Sequence, residues 1–226
     1  MTTEHPRLLL FTDRHRAASA GHDLEDALAA AVTAGAPVVV LRERDLPRPR
    51  RRALAQRLRR RTADAGAKLW LGGDPQLAAE VGADGVHLPA AAPVRRAAEV
   101  TTTGRSCHDP AEVAAAVAAG LDHVTVSPVA PTASKPGHGP GLGADGLAEL
   151  AAGAAPLRVY ALGGVTADDV RAWRLAGAHG VAVLGAVLAA PDPAAATRHL
   201  LAALDAGPPI ASTPSNAATT DLGRHP

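Results

Sequence analysis

Four times along the chain the same phrase returns: AGAPVVVL at 34–41, VGADGVHL at 81–88, AGLDHVTV at 119–126 and AGAHGVAVL at 176–184. Each reads as the end of a helix, a glycine stop and then an unbroken apolar run. Such a run suits a strand covered on both faces, as in a parallel sheet, and not one with a wet side. A βα unit written four times predicts a parallel α/β architecture. Eight candidate strands follow from the same pattern: Arg7–Thr12, Pro37–Leu41, Lys68–Leu71, Gly85–Leu88, Thr101–Ser106, His123–Ser127, Leu157–Leu162 and Gly180–Leu184. Helices are expected over Asp23–Ala34, Arg50–Ala65, Asp109–Ala119, Thr166–Ala176 and Asp192–Leu204. Two open with Asp-Pro, a cap followed by a first-turn proline, and Thr166 reads as the cap of another. Eight units over roughly 200 residues average about 25 each, which favours closure into one single-domain (β/α)8 barrel over an open doubly wound sheet.

Composition narrows the rest. Hydrophobic residues are 47% of the 226 but aromatics only 2%, so Ala, Val and Leu are expected to fill the core. With 23 basic and 22 acidic residues the net charge is +1, which argues against a nucleic-acid-binding chain. The lone Cys107 excludes an internal disulfide framework and reads as a buried, inert thiol. No apolar run approaches the roughly 18 residues of a membrane span, and MTTEHPRLLLFTDRH lacks a signal-peptide core. A soluble cytoplasmic protein is expected. The arginines of RPRRRALAQRLRRR (48–61) read as the solvated outer face of a helix. Residues 207–226 lose all periodicity and read as a disordered tail behind a 1–206 barrel.

Active sites of such barrels lie beyond the carboxyl ends of the strands. After the second strand stand Arg42 and Arg44, one residue apart and so on one side. They read either as a clamp for a phosphate or pyrophosphate, or as rim charges paired with Glu43 and Asp45. After the sixth strand comes a long Gly/Pro-rich loop carrying Thr132, Ser134, Lys135 and His138, a binding loop whose hydroxyls and lysine suit phosphate. His138 is its acid/base candidate. Gly163 and Gly164 after the seventh strand, and Leu184 and Gly185 after the eighth, fit the loops where barrels often seat a phosphate on backbone N–H groups. Ser106, at the end of the fifth strand, is placed to hydrogen-bond a substrate ring. Cys107 and His108 face opposite ways and do not make a nucleophile–base pair. His87 reads as a satisfied core histidine.

In order and spacing these residues resemble the thiamine-phosphate synthase / TenI family from about residue 7 to 205. The carriers are Thr12-Asp13-Arg14, Leu41-Arg42-Glu43-Arg44, GADGVHL (82–88), GRSCH (104–108), SPVAPTASKPG (127–137), ALGGV (161–165) and AGAHGVAV (176–183). The resemblance implies the same barrel. It also implies a dissociative condensation of hydroxymethylpyrimidine pyrophosphate with a thiazole phosphate, with magnesium neutralising the departing pyrophosphate and, in other members, association of subunits. On this basis Arg42 and Arg44 would hold the pyrophosphate, with Lys135 assisting and Ser106 on the pyrimidine. Thr132, Ser134, Gly164 and the Leu184-Gly185 backbone would hold the thiazole phosphate.

The departures are specific. Where the synthase pattern has Asn-Asp after the third strand, this chain has Gly72-Gly73, with Asp74 one position late. The second magnesium aspartate is replaced by alanine within Pro89-Ala-Ala-Ala-Pro93, and Val40 stands for a glutamine. Gly185 stands where the family has Ser. No magnesium ligand pair is therefore assigned. TenI proteins also lack that pair and carry Gly at the position of Gly73, and some isomerise a thiazole with a histidine near the end of the sixth strand. Here that position is Pro128, leaving His138 or His108 to substitute. Three readings follow: a synthase-type transferase, a TenI-like tautomerase, and a non-catalytic binder of a thiazole phosphate. An unrelated phosphate-binding barrel, such as a tryptophan-pathway isomerase, is a remote fourth.

Overall fold

The structure, a computed structural model, describes residues 5–131 and 141–207. All eight expected strands form: β1 Leu8–Phe11, β2 Val38–Leu41, β3 Lys68–Gly72, β4 Gly85–Leu88, β5 Thr102–Cys107, β6 His123–Val126, β7 Arg158–Leu162 and β8 Gly180–Val183. Every pairing is parallel, and β8 returns to β1 with Leu9 opposite Ala182, closing the barrel. Around it lie α1 Arg14–Ser19, α2 Leu24–Thr33, α3 Arg48–Asp64, α4 Pro75–Val81, α5 Pro110–Ala118, α6 Gly143–Ala152, α7 Val170–Leu175, α8 Gly185–Leu188 and α9 Pro193–Asp205. The expected caps act at α5 and α9. There Asp109 accepts from Glu112 N–H at 2.8 Å and Asp192 from Ala195 N–H at 3.0 Å, each before a first-turn proline.

Three expectations need correction. Thr166 caps nothing: its hydroxyl donates to Asp169 Oδ2 at 2.7 Å, and α7 starts only at Val170. Second, residues 89–101 carry no helix between β4 and β5. A helix begun at Pro89 would meet Pro93 four residues on, whose missing N–H and ring break the bond to and clash with the Pro89 carbonyl. The buried Arg105 guanidinium fills the gap beneath that segment and donates to the Ala90 carbonyl.

The third concerns the core, which has two chemically different layers. Alternate strand residues face outward, and there Leu8, Leu10, Val39, Leu41, Leu69 and Leu71 pack on the helices, as composition predicts. The barrel interior instead concentrates rings. Phe11, Trp70 and Tyr160 are three of the chain's four Phe, Tyr and Trp residues, and all lie inside with Leu9, Val38, Val40 and Ala182. Histidines interleave with them. His123 stacks on Trp70 at 4.7 Å and on His87 at 5.3 Å, and meets Tyr160 edge-on at 5.6 Å. Glycine makes this possible by omitting a side chain. The Trp70 ring occupies the space beside Gly85 and the His123 ring the space beside Gly104.

The arginines of α3 are not uniformly solvated. Arg57 pairs with Glu25 on α2 at 2.7 Å and Arg48 with Glu80 on α4 at 2.6 Å. Arg51 is buried, with its guanidinium on the Gly72 carbonyl. No helix among the described residues is long and apolar enough to cross a membrane.

Candidate active site

The chain leaving β2 is pinned to the end of β1, where Arg42 N–H donates to Thr12 Oγ1 at 2.9 Å. Residues 42–45 then alternate, and the alternation sorts the charges. Glu43, buried, accepts from Arg14 N–H at 3.1 Å and from Arg14 Nη1 at 2.9 Å. Asp45 accepts from Arg14 Nη1 at 2.6 Å, from Arg14 Nη2 and from His15 Nε2 at 3.1 Å. These bonds raise the Arg14 pKa and hold the Asp45 carboxyl well below the usual carboxylate range. Arg14 therefore takes both carboxylates that the sequence left as alternative partners of Arg42 and Arg44.

Arg42 and Arg44 both line a cavity of about 500 Å³ at the carboxyl ends of the strands. The Arg42 guanidinium lies 3.9 Å from Asp13. Arg44 makes no ion pair or hydrogen bond with the described residues. Its pKa is lowered by partial burial and by the neighbouring charges of Arg42 and Arg51. Cationic neighbours at this position make the local potential positive, which favours an anion over a further cation.

Gly163, Gly164, Leu184 and Gly185, at the ends of β7 and β8, line the same cavity. Loops 6 and 7 are zipped together there: Val129 N–H bonds the Leu162 carbonyl and Ala130 N–H the Gly163 carbonyl, both at 3.0 Å. Gly164 takes φ +70° and comes so close that a Cβ would lie 2.6 Å from the Pro131 oxygen and 2.8 Å from Ala130 Cβ. Gly185 opens α8, whose first N–H groups have no partner within the helix, and Leu184, Gly185 and Ala186 line the cavity. Its own Cβ position is open space.

Ser106 lies in the lining as expected, supported from below. Its hydroxyl is 3.1 Å from His87 Nε2, Thr125 Oγ1 is 3.3 Å from the same nitrogen, and His87 Nδ1 is 3.1 Å from His123 Nε2. His87 is thus both the buried core histidine the sequence predicted and part of the cavity floor. Burial and the nearby His123, Arg44 and Arg105 push its pKa well down, so it is neutral. Cys107 points the other way into the outer core, and burial pushes its thiol up to about 12.

Thr132, Ser134, Lys135 and His138 lie outside the described residues, as does 208–226 of the tail. Among the charged lining residues, reading strand ends gave no role to Asp13 or Arg16, and His108, offered only as a substitute base, also lines the cavity. The signal for Asp13 was present, because Thr12-Asp13-Arg14 follows β1 as Arg42 follows β2, whereas Arg16 lies inside α1. His108 Nδ1 donates to Glu112 Oε2 at 3.1 Å, so a carboxylate orients the imidazole at the cavity wall. Pro128, in the same lining, brings no base.

The donor set for a divalent cation is poor. The walls after β3 and β4 are Gly72, Pro89 and Ala90. Asp74 is the cap of α4, accepting from Leu77 N–H at 2.9 Å, with Arg48 and Arg51 each at 3.9 Å. Among the described residues no three His, Cys, Asp or Glu side chains gather to hold a metal ion. These residues do not fit the magnesium that the resemblance implies, since a hard dication requires carboxylate oxygens.

The sequence pattern of the TMP-TENI family, thiamine monophosphate synthase, matches residues 8–187. The chain is 41% identical over 202 residues to a Geobacter sulfurreducens protein provisionally named a thiamine-phosphate synthase, covering 87% of this chain and 93% of that one. It is 37% identical over 200 residues to the thiamine-phosphate synthase of a Roseiflexus species, covering 86% and 84%. In structure it resembles the thiamine phosphate pyrophosphorylase of Pyrococcus furiosus with a TM-score of 0.77 and 26% identity, over 88% of this chain and 95% of that one.

Proposed function

The chain belongs to the thiamine monophosphate synthase family, and on that footing we propose that its cavity joins hydroxymethylpyrimidine pyrophosphate to a thiazole phosphate. The observation that carries this reading is the make-up of the rim. Arg42 and Arg44, left by Glu43 and Asp45 because Arg14 takes both, share the lining with glycine loops 7 and 8. In the proposed reaction the pyrophosphate leaves first, and Arg42 and Arg44 stabilise the charge that develops on it. Lys135 assists from the loop after β6. Ser106 orients the pyrimidine, with neutral His87 fixing its hydroxyl. The N–H groups around Gly164 and Gly185, with Thr132 and Ser134, seat the thiazole phosphate so that the thiazole nitrogen faces the carbon that lost pyrophosphate. The apolar floor of Phe11 and Ala182 excludes water from the cation.

The test is direct. The purified chain is expected to form thiamine phosphate from the two substrates, and Arg44→Met to lower kcat/KM by about 10²- to 10³-fold. Absence of turnover at high enzyme concentration defeats the transferase reading. One observation favours a second reading, a TenI-type isomerisation of a carboxylated thiazole phosphate: the His108–Glu112 pair supplies an oriented imidazole at the cavity wall where the tautomerase histidine is Pro128. Isomerase turnover abolished by His108→Ala, with no synthase turnover, selects it.

A further inference from the structure

The partners of the acidic side chains around the rim bear on what could neutralise an anionic ligand there. Each acidic residue named below already has a partner among the described residues. Glu43 and Asp45 are held by Arg14. Asp74 caps α4 and faces Arg48 and Arg51. Glu112 accepts from His108 N–H at 2.7 Å and meets its ring. Asp13 is in the lining, but its Oδ1 accepts the N–H groups of His15 and Arg16 at 3.1 and 3.0 Å, and its Oδ2 faces Arg42. The segment 132–140, TASKPGHGP, contains no Asp or Glu, so it has no carboxylate to contribute. Against that stand the guanidinium groups of Arg16, Arg42 and Arg44, all in the lining.

Resting on the reading of this rim as an anion site, we infer that a diphosphate is bound here by guanidinium groups without a divalent cation. A planar guanidinium meets two phosphate oxygens with two parallel N–H bonds and carries its charge at every working pH. It supplies both the geometry and the charge that a metal would bring. A dication at this rim would instead meet three cationic side chains and a single carboxylate already hydrogen-bonded. Arg44 is the group most available for the task, because its neighbours repel it and no carboxylate holds it. The inference also separates this chain's rim from one that needs magnesium to be charged correctly.

Titration calorimetry of inorganic pyrophosphate into the full chain tests this, once in EDTA and once in magnesium. Binding is expected in EDTA, with an affinity that magnesium does not improve. Arg44→Met, which removes a cavity-lining guanidinium that bonds none of the described residues, is expected to weaken it about 10- to 100-fold in both buffers, the equivalent of one charge-assisted contact. Arg52→Met, on the outer face of α3, should leave it unchanged. Binding that appears only with magnesium overturns the inference while leaving the anion-site reading intact. Absence of binding in both buffers overturns the anion-site reading, and the inference with it.

Discussion

Gly164 and Gly185 look equivalent in the sequence, and alanine substitution is expected to separate them. At Gly164 the backbone has φ +70°, a left-handed conformation that costs an L-residue about 1–2 kcal/mol. The new methyl would also sit 2.6 Å from the Pro131 carbonyl oxygen, 2.8 Å from Ala130 Cβ and 2.9 Å from Ala130 C. Two of those three atoms are backbone and none can rotate away, so the segment after β6 must shift. Overpacking of that kind costs about 1–3 kcal/mol. Together the terms predict a loss of about 2–5 kcal/mol for Gly164→Ala, and a melting temperature lower by about 4–20 °C for a domain of this size. Gly185→Ala meets nothing within 4 Å and adds a helix-favouring residue at the start of α8. Its stability is expected to be equal to the parent or up to about 1 kcal/mol higher. Urea unfolding followed by circular dichroism gives both values, and phosphate calorimetry shows whether only Gly164→Ala damages the wall. A Gly164→Ala protein within about 0.5 kcal/mol of the parent, or a Gly185→Ala protein equally destabilised, refutes the reasoning.

Further outcomes follow from the charges and the interior rings. Arg14→Ala releases Glu43 and Asp45 from their partner, and they are expected to turn on Arg42 and Arg44. Pyrophosphate affinity should fall although Arg14 does not line the cavity, and calorimetry against Arg16→Ala measures it. Gly104→Ala overlaps the His123 ring, with an expected loss of about 2–4 kcal/mol from overpacking and a broken His87–His123 hydrogen bond. In a His123→Ala background the same change should be nearly neutral, which a double-mutant cycle in urea reads out. Acid is also expected to destabilise the barrel through its interior. Burial lowers the His123 pKa from 6.5 to about 3 and that of His179 to about 4. The unfolded chain therefore binds protons first, and stability falls as pH drops below about 6.5 towards those values. His123 alone accounts for about 3 kcal/mol by pH 4. His123→Phe should flatten the pH dependence of the urea midpoint, and an unchanged slope removes the explanation.

The barrel was legible because its determinants are local and periodic. Glycine after a helix and a continuous apolar run report buried parallel strands wherever they occur, and all eight appear within a residue or two of their expected ends. The missing helix between β4 and β5 was equally local, written in Pro89 and Pro93, and went unread because the repeat was extended over it. Arg42, Arg44, Ser106, Gly163, Gly164, Leu184 and Gly185 were also named from strand ends alone, and they line one cavity. Asp13 was quoted in Thr12-Asp13-Arg14 without a role of its own, and Arg16 escaped because it reaches the cavity from within α1 and not from a strand end.

The chain alone determined the strand order, the closure and which end of the barrel carries chemistry, since each follows from pattern and chirality along a contiguous stretch. Only the tertiary structure decided which partner each charge takes. Arg14, 29 residues before Glu43, wins both rim carboxylates, and that competition depends on distances between chain segments that no local pattern encodes. The same holds for the ring-filled interior. Aromatic scarcity pointed to an aliphatic core throughout, but the barrel axis gathers Phe11, Trp70 and Tyr160 from three separate strands into one column. Composition counts residues, and closure of the sheet determines where they meet.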